Sequence, residues 1–325
     1  MEIRKLQLTG GSSLAITLPK KWVDHFGLKS KDTVVIYSQK SGSLIIQPAR
    51  YKEQLLKTVL KIDGLTKDML TRELTAHYIS GSDELTIKSK RITRDQRNRI
   101  REILQSLIGY EIIDESSEGV FIKNIFDATK FPIIQNVEKM FVIVKSMFND
   151  AIKAITQNNN PLASDVIDRD FEIDKLRLAI MRQFYALIQG RVYDEEIGLS
   201  QADTNYYEHV ATQLERIADH AVKIARTVIT ADKKSESLVS SRLKNIVKKI
   251  LPLLEYSEEA VRELDKTLAH IILEKNPEIE RTLLLDRDVK SFEEMLVVDS
   301  LDRLRGYVMN IAEITIDQAI VVKKK

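Results

Sequence analysis

The stretch from residue 214 to residue 229, LERIADHAVKIARTVI, sets the fold of the larger part of this 325-residue chain. Its apolar residues recur every three or four positions, at Leu214, Ile217, Ala221, Ile224 and Val228. That spacing places them on one face of an amphipathic α-helix. The same period extends from Pro132 almost to the end of the chain, so we predict that residues 128–325 form an all-helical body.

Breaks in this period divide the body into six predicted helices. They span residues 133–157, 162–190, 200–230, 238–273, 278–297 and 299–322, with breaks that include Asn276-Pro277 and a point near Asp299. Long helices with short links pack as antiparallel neighbours in bundles. The stretch LDRLRGYVMNIAEITI at residues 301–316 shares Leu, Arg, Ile, Ala and Ile with residues 214–229 at matching offsets. We therefore predict tandem three-helix repeats, at about 133–231 and 237–323.

Two pairs of carboxylates in the first repeat are candidates for a binding site. Asp170 and Asp174 lie one helical turn apart on one predicted helix, and Glu215 and Asp219 repeat that spacing on the next. If the two helices pack side by side, the four carboxylates converge, and their repulsion favours a cation between them. Hard multivalent metals take such oxygen ligands. The alternative is that both pairs lie on solvated helix faces.

The sequence around these carboxylates resembles two signature stretches of the PhoU family. They are DFEIDKL at residues 170–176 and LERIADHA at residues 214–221. The resemblance implies a pair of three-helix bundles that binds metal through E/D-x-x-x-D motifs, as iron or zinc clusters in some members. It also implies a regulator of phosphate uptake that acts on the phosphate transporter and on phosphate-responsive transcription.

The resemblance assigns one metal site, with iron, zinc, magnesium or manganese as the candidate ion. Its ligands are expected to be Asp170, Asp174, Glu215 and Asp219. The second repeat departs from the pattern, because Asp302 is kept but Gly306 stands four residues later. The companion motif there is either Asn276 with Glu280 or absent.

The first fifty residues differ in charge and in local pattern from the body. They hold eight Lys or Arg against three Asp or Glu, and short β-type runs alternate with turn signals. Four predicted strands and one short helix in so few residues bury too little surface to fold alone. We therefore predict an obligate, intertwined dimer whose two copies of the basic residues face duplex DNA.

A motif in this segment resembles the AbrB/MazE/SpoVT swapped-hairpin DNA-binding domain. Residues 14–22 are LAITLPKKW, followed by Phe26-Gly27-Leu28 and by KDTV at residues 31–34, with Lys31 where the family often has Gly. The family binds DNA through basic residues on its first strand and around the Pro-Lys helix. At the matching positions here stand Arg4, Lys5, Lys20 and Lys21.

Residues 51–127 are predicted to form a small α+β domain that joins the head to the body. Strands near 56–62 and 84–88, helices near 67–79 and 94–107, and a hairpin at 111–123 account for the segment. Seven of the fourteen residues from 88 to 101 are basic. A solvated helix face explains this run, and a second contact with DNA or another anion is the alternative.

Composition excludes several classes of protein. The chain has no cysteine, so disulfide frameworks, zinc fingers and thiol nucleophiles are excluded. No apolar run approaches the roughly 18–20 residues of a membrane span, so we expect a cytoplasmic protein with no membrane insertion. No histidine has Glu three residues before it, which argues against a di-iron bundle enzyme, and no phosphate-binding or nucleophile motif is present. We expect that the protein is not an enzyme.

Together these features predict a multi-domain protein with a small β-rich head (1–50), an α+β linker domain (51–127) and an all-α body (128–325). The combination resembles that of archaeal phosphate uptake regulators. It implies a regulator that couples phosphate-transport or metal status to transcription, with double-stranded DNA and a second copy of the chain as partners. The alternative is a signalling adaptor that binds no DNA and docks on a phosphate transporter ATPase or a sensor kinase.

Overall fold

The computed structural model describes residues 2–39, 41–49, 55–230, 241–284 and 292–323. They form three parts in chain order: two β-hairpins, a four-stranded α+β domain and a long helical body. The chain is multi-domain, as the sequence predicts.

The head consists of two hairpins on either side of a short helix. Its elements are β1 (Gln7–Thr9), β2 (Ser13–Ala15), α1 (Lys20–His25), β3 (Val34–Ser38) and β4 (Leu44–Pro48). β1 pairs antiparallel with β2, and β3 pairs antiparallel with β4. Lys31 has a φ of 77°, a left-handed conformation that favours glycine. This explains why the resembling family often has Gly at that position.

The head has almost no hydrophobic core within one chain. None of residues 2–39 is buried, and Leu8 and Ile36 are 70% and 53% exposed. Isolated two-stranded hairpins are at best marginally stable in water. The head therefore needs a further apolar surface to cover its strands.

The middle domain is a four-stranded sheet that carries two helices. Its elements are β5 (Lys57–Lys61), α2 (Lys67–Ile79), β6 (Glu84–Lys88), α3 (Arg94–Ser106), β7 (Tyr110–Glu115) and β8 (Gly119–Asn124). The strand order is β5-β6-β8-β7, with β5 parallel to β6 and the other neighbours antiparallel. Thr93 begins α3 with a capping box, in which its side chain and that of Gln96 cap each other's backbone N–H. Both helices contact the body, and Leu178 of the body completes the domain's core.

The helical body contains two groups of three long helices. They are α4 (Ile133–Gln157), α5 (Asn160–Ile188) and α7 (Gln201–Thr230), then α8 (Ser241–Glu263), α9 (Lys266–Leu284) and α10 (Phe292–Lys323); the short α6 (Asp194–Ile197) lies between α5 and α7. Within each group every helix contacts the other two, and α7 packs on α10. The predicted stripe from Leu214 to Val228 lies in the shared core, with each member at most 1% exposed. None of the described helices combines the length and hydropathy needed to span a bilayer.

The predicted helices of the second group had the wrong boundaries. The chain breaks after Glu263, where Leu264 has a φ of 48° and Asp265 caps α9 through the N–H groups of Thr267 and Leu268. The predicted break at Asn276-Pro277 is absent, because Pro277 lies inside α9 between the buried residues Ile272 and Ile279. Tertiary packing on both sides holds the helix across the proline.

The predicted break near Asp299 is also wrong, because α10 continues through it. Asp299 lies on the exposed side of that helix, and its carboxylate is 2.7 Å from Lys223 Nζ of α7. The predicted break at 232–237 and the predicted helix start at 238 lie outside the described residues, as does the part of the predicted helix 278–297 that covers residues 285–291.

Candidate functional site

The four basic residues predicted to contact DNA are all exposed. Arg4 and Lys5 precede β1, and Lys20 and Lys21 form the first two positions of α1. The Arg4 guanidinium lies 2.6 Å from the carboxylate of Glu2, so this charge is partly screened. None of the four is used to stabilise a core, which leaves them available to an external partner.

The arginines of α3 are mostly paired within the middle domain. Arg97 and Arg101 both pair with Glu115, and Arg99 lies 3.1 Å from Glu102. This pairing lowers the positive potential of the helix face. It favours the solvated-face interpretation of the basic run over a second DNA contact.

The structure brings the four acidic candidates to the contact between α5 and α7. Asp170 and Asp174 lie on α5, and Glu215 and Asp219 lie on α7. Burial, and then the charges of the other three carboxylates, raises the pKa of Asp170 to about 7. Burial is also the largest cause that raises the pKa of Asp174 and of Glu215. The four groups therefore form one electrostatic cluster, which we call the acidic cluster.

Two observations bear on whether the acidic cluster fits a metal ion. Asp170 Oδ1 is buried and accepts no hydrogen bond, and an unsatisfied buried carboxylate oxygen is costly. The cluster thus offers hard oxygen donors and excess negative charge. Across the described ranges of the chain, however, no three Asp, Glu or His side chains are grouped closely enough to hold one ion.

Arginine side chains already supply positive charge to the cluster. Arg177 Nε lies 3.3 Å from Glu215 Oε1, although it does not meet hydrogen-bond geometry. The charge of Arg226 lowers the pKa of Asp170. The four carboxylates are hard oxygen donors, which suit a hard cation. Arg177 lies next to Glu215, however, so a metal ion would compete with this arginine for the carboxylate. Sequence reasoning missed both arginines, although Arg177 follows Asp174 by three residues on the same helix.

The corresponding place in the second repeat contains an arginine bridge. Arg305 of α10 donates a hydrogen bond to Asn276 Oδ1 of α9, and its guanidinium lies 2.7 Å from Asp302 of its own helix. Arg305 therefore occupies the space between these two side chains. Glu280, the other candidate in this repeat, lines the same cavity as Asp302 and Arg305. The expectation of one metal site stays a prediction.

The link between α5 and α7, residues 189–200, contacts both other parts of the chain. The Tyr193 ring stacks on Tyr37 of β3 at a centroid distance of 4.2 Å, and its hydroxyl accepts a hydrogen bond from Gln47 of β4. Arg191 pairs with Asp83 of the middle domain. From the sequence this link is predicted only as a break between helices, because no local pattern marks a contact with residues about 150 positions away.

Comparison with family models and solved structures identifies two of the three parts. Residues 137–228 match the PhoU domain, and residues 7–54 match the model described as antidote-toxin recognition MazE, bacterial antitoxin. The chain thus joins a segment that matches the MazE model to a segment that matches the PhoU domain model. The first match contains α5, nearly all of α7 and the whole acidic cluster. The second contains two of the four DNA-contact candidates, Lys20 and Lys21; Arg4 and Lys5 lie just before it.

Two solved PhoU structures are similar to part of this chain. PhoU from Pseudomonas aeruginosa is 21% identical, with a TM-score of 0.51 over 59% of this chain and 96% of that one. The phosphate transport system regulatory protein PhoU from Streptococcus pneumoniae is 18% identical, with a TM-score of 0.47 over 57% and 92% of the two chains. No curated protein sequence matches the chain significantly. The first comparison supports a fold of PhoU-type helical bundles for the body.

Proposed function

We propose that this protein is a DNA-binding regulator of phosphate uptake rather than an enzyme. In this proposal, the PhoU domain responds to phosphate-transport or metal status, and a dimer of MazE-like domains binds an operator. The observation that carries the proposal is the pair of head hairpins, whose apolar side chains stay exposed in a single chain beside exposed basic residues.

A second copy of the head supplies the surface that these hairpins need. Four apolar side chains in or next to the strands of the first hairpin are all more than half exposed: Leu6, Leu8, Leu14 and Ile16. Burying an apolar side chain of this size stabilises by about 1.5–3 kcal/mol. Interleaved hairpins from two chains would bury both sets at once and place Lys20 and Lys21 twice on the dimer, related by two-fold symmetry.

The link between α5 and α7 provides a route from the acidic cluster to the head. The cluster lies on the two helices that the link joins, and Tyr193 of the link stacks on Tyr37. A shift of α5 relative to α7 would therefore move the surface on which the head rests. That movement would change the spacing between paired heads and so the half-sites that they fit.

The acidic cluster is proposed to take up a metal ion when Arg177 withdraws from Glu215. The support is the unpaired Oδ1 of Asp170 and the raised pKa of three of the four carboxyl groups. A metal would relieve the repulsion among carboxylates that Arg177 and Arg226 offset only in part. Asp170, Asp174, Glu215 and Asp219 would hold the ion, with Arg177 displaced toward solvent.

DNA binding is tested by fluorescence anisotropy with the duplex upstream of the protein's own gene, over a range of salt concentrations. We expect salt-sensitive binding that the double substitution Lys20→Ala/Lys21→Ala abolishes or weakens at least tenfold. Each lost phosphate contact lowers the slope of log affinity against log salt by about 0.9. A dimer that loses four contacts would lower it by about 3.6.

The matched control removes two lysines from the body, as Lys153→Ala/Lys248→Ala. It lowers the net charge equally and should leave DNA affinity within about twofold. If no duplex binds in a salt-dependent way, and the head variant behaves as the unmodified protein does, the adaptor alternative replaces the proposal. In that case the head only dimerises the chain, and the body docks on a transporter ATPase or a kinase.

Metal uptake is tested by isothermal titration with Mn²⁺, Fe²⁺, Zn²⁺ and Mg²⁺ and by elemental analysis of the purified protein. We expect binding that Asp170→Asn and Glu215→Ala each abolish. Glu172→Gln is the control, because Glu172 lies on α5 but pairs with Lys139 and Lys175 outside the cluster. If both cluster variants bind metal as the unmodified protein does, the metal site is not there.

A further inference from the structure

A cavity of about 430 Å³ lies where the middle domain meets the body. Its walls come from the turn after α2, the segment 124–129 after β8, the end of α5 and the link between α5 and α7. Small-molecule sites in proteins have volumes of this order and occur preferentially at domain interfaces. The proposed function does not use this cavity.

Arg182 of α5 is the unusual residue in the wall. It is only 4% exposed, and it donates hydrogen bonds to the backbone carbonyls of Tyr78 and Ser82. Its guanidinium also lies over the rings of Tyr78 and Tyr110, 4.8 and 5.4 Å from their centroids. Among the described residues, no Asp or Glu forms an ion pair with it. Buried charges in proteins are nearly always paired.

The aromatic rings do not supply the missing negative charge. Burial raises the pKa of both Tyr78 and Tyr110, so each phenol stays neutral at physiological pH. The ring faces and the two carbonyls offer only partial charges to the guanidinium. An anion in the cavity would complete the charge balance of Arg182.

The other charged groups in the wall already have partners within the protein. Asp83 pairs with Arg191, and Asp127 lies 3.2 Å from Lys130 and accepts a hydrogen bond from Thr129. Glu196 accepts the backbone N–H of Tyr193 through one oxygen. Glu196 lines the cavity, and its carboxylate has further acceptor capacity beyond this one hydrogen bond. The cavity thus combines a cation that lacks a counter-charge with an acceptor that suits a hydroxyl or amine.

We propose that this cavity binds a small molecule with an oxyanion group that pairs with Arg182 and a hydroxyl or amine that donates to Glu196. The oxyanion is a carboxylate or a phosphate, which share the same recognition by a guanidinium. The bound molecule would touch the middle domain, α5 and the link that carries Tyr193. It would therefore act as an effector that fixes the middle domain and the link against the body. This inference does not depend on DNA binding by the head.

The test uses the full-length protein and isothermal titration with four probes. Inorganic phosphate and glycerol 3-phosphate represent phosphates, and L-malate and L-glutamate represent carboxylates with a hydroxyl or an amine. We expect at least one probe to bind with one site per chain. Binding of the phosphate probes would identify the oxyanion as a phosphate, and binding of L-malate or L-glutamate would identify it as a carboxylate.

Two variants assign the binding to the cavity. Ala186→Leu fills part of the cavity and keeps Arg182 and its contacts, whereas Arg182→Gln removes the charge. Each should weaken binding at least tenfold, since a hydrogen bond to a buried charged group is lost or blocked. Ile188→Leu, at an exposed position of the same helix, is the control for the first variant. Arg226→Gln, near the acidic cluster, is the control for the second.

Hydrogen exchange of the unmodified protein adds a measurement that needs no variant. A bound probe should slow exchange in residues 124–129 and in the link at 189–200. The proposal is overturned if none of the four probes binds, if binding survives Ala186→Leu, or if Arg226→Gln weakens it as much as Arg182→Gln does. It is also overturned if a probe binds without slowing exchange in either segment.

Discussion

Replacing Asp170 with Asn should stabilise the metal-free protein at pH 8, with an effect that shrinks steadily as the pH falls toward 4. The pKa of Asp170 is about 7 in the folded protein against 3.8 for an ordinary Asp. The folded state therefore keeps this proton to a higher pH than the unfolded chain does. Between pH 4 and pH 7 the folded state binds more protons, so stability falls as the pH rises.

The size of the effect follows from the shift in pKa. A difference of about three pKa units between the folded and unfolded states changes the free energy of unfolding by at most about 4 kcal/mol. Asp170 is only half-buried and shares its repulsion with three other carboxylates, so solvent screening reduces the expected value to about 1–2 kcal/mol. In a helical body of about 200 residues this raises the melting temperature by about 2–8 °C.

The assay is thermal unfolding followed by circular dichroism at half-unit steps from pH 4.5 to pH 8, with EDTA present throughout. Asp168→Asn, at an exposed position on the same helix, is the control and should shift the melting temperature by less than about 1 °C. If Asp170→Asn is neutral or destabilising at pH 8, the repulsion inferred for the acidic cluster is wrong. With saturating Mn²⁺ in place of EDTA the sign should reverse, because the variant loses a metal ligand.

Three further predictions test other parts of the structure. Phe148→Ala removes a fully buried ring from the core of the body, and urea unfolding should show a loss of about 3–5 kcal/mol. Arg305→Gln breaks the bridge between α9 and α10, and the same measurement should show a loss of about 1–2 kcal/mol, with no change in metal uptake. Tyr193→Ala removes the ring that stacks on Tyr37, so hydrogen exchange should speed up in β3 and β4 more than in α7.

The long-range period of the body was enough to predict most of its first half. The helices at 133–157 and 201–230 agree with prediction to within one residue, and the stripe from Leu214 to Val228 lies in the core. These segments combine strong amphipathic spacing with clear end signals, such as Asn158 with its positive φ. In them, local pattern and tertiary packing specify the same structure.

The errors in the second half have a common cause. Pro277 and Asp299 are local signals for a break, and in both places the helix continues because neighbouring residues are buried against other helices. At Leu264, by contrast, the chain does break without a Gly or Pro to mark it. Propensity is a weak local preference that packing overrides. A single sequence does not contain the packing partners that decide these cases.

The acidic cluster could be selected from local sequence motifs, whereas the cavity at the domain junction depends on contacts between residues far apart in the chain. Motif spacing together with the resemblance to the PhoU signature stretches selected Asp170, Asp174, Glu215 and Asp219. The structure places each pair on one of two packed helices, and metal binding by them stays a prediction. Motif spacing did not predict the cavity at the domain junction. The guanidinium of Arg182 contacts carbonyls of residues 78 and 82, about a hundred positions earlier in the chain. No periodicity connects positions so far apart.

The position of the link between α5 and α7 explains how one helical body could serve two inputs. The acidic cluster lies along the two helices that the link joins, and the junction cavity lies at the link itself. A cation in the cluster would act on the angle between the helices, whereas an oxyanion in the cavity would hold the link against the middle domain. In our proposal both effects would reach the head through the contacts of Tyr193 with Tyr37 and Gln47. The two ligands should therefore change each other's affinity by an equal factor, and Tyr193→Ala should leave that coupling intact while it removes the effect of either ligand on the head.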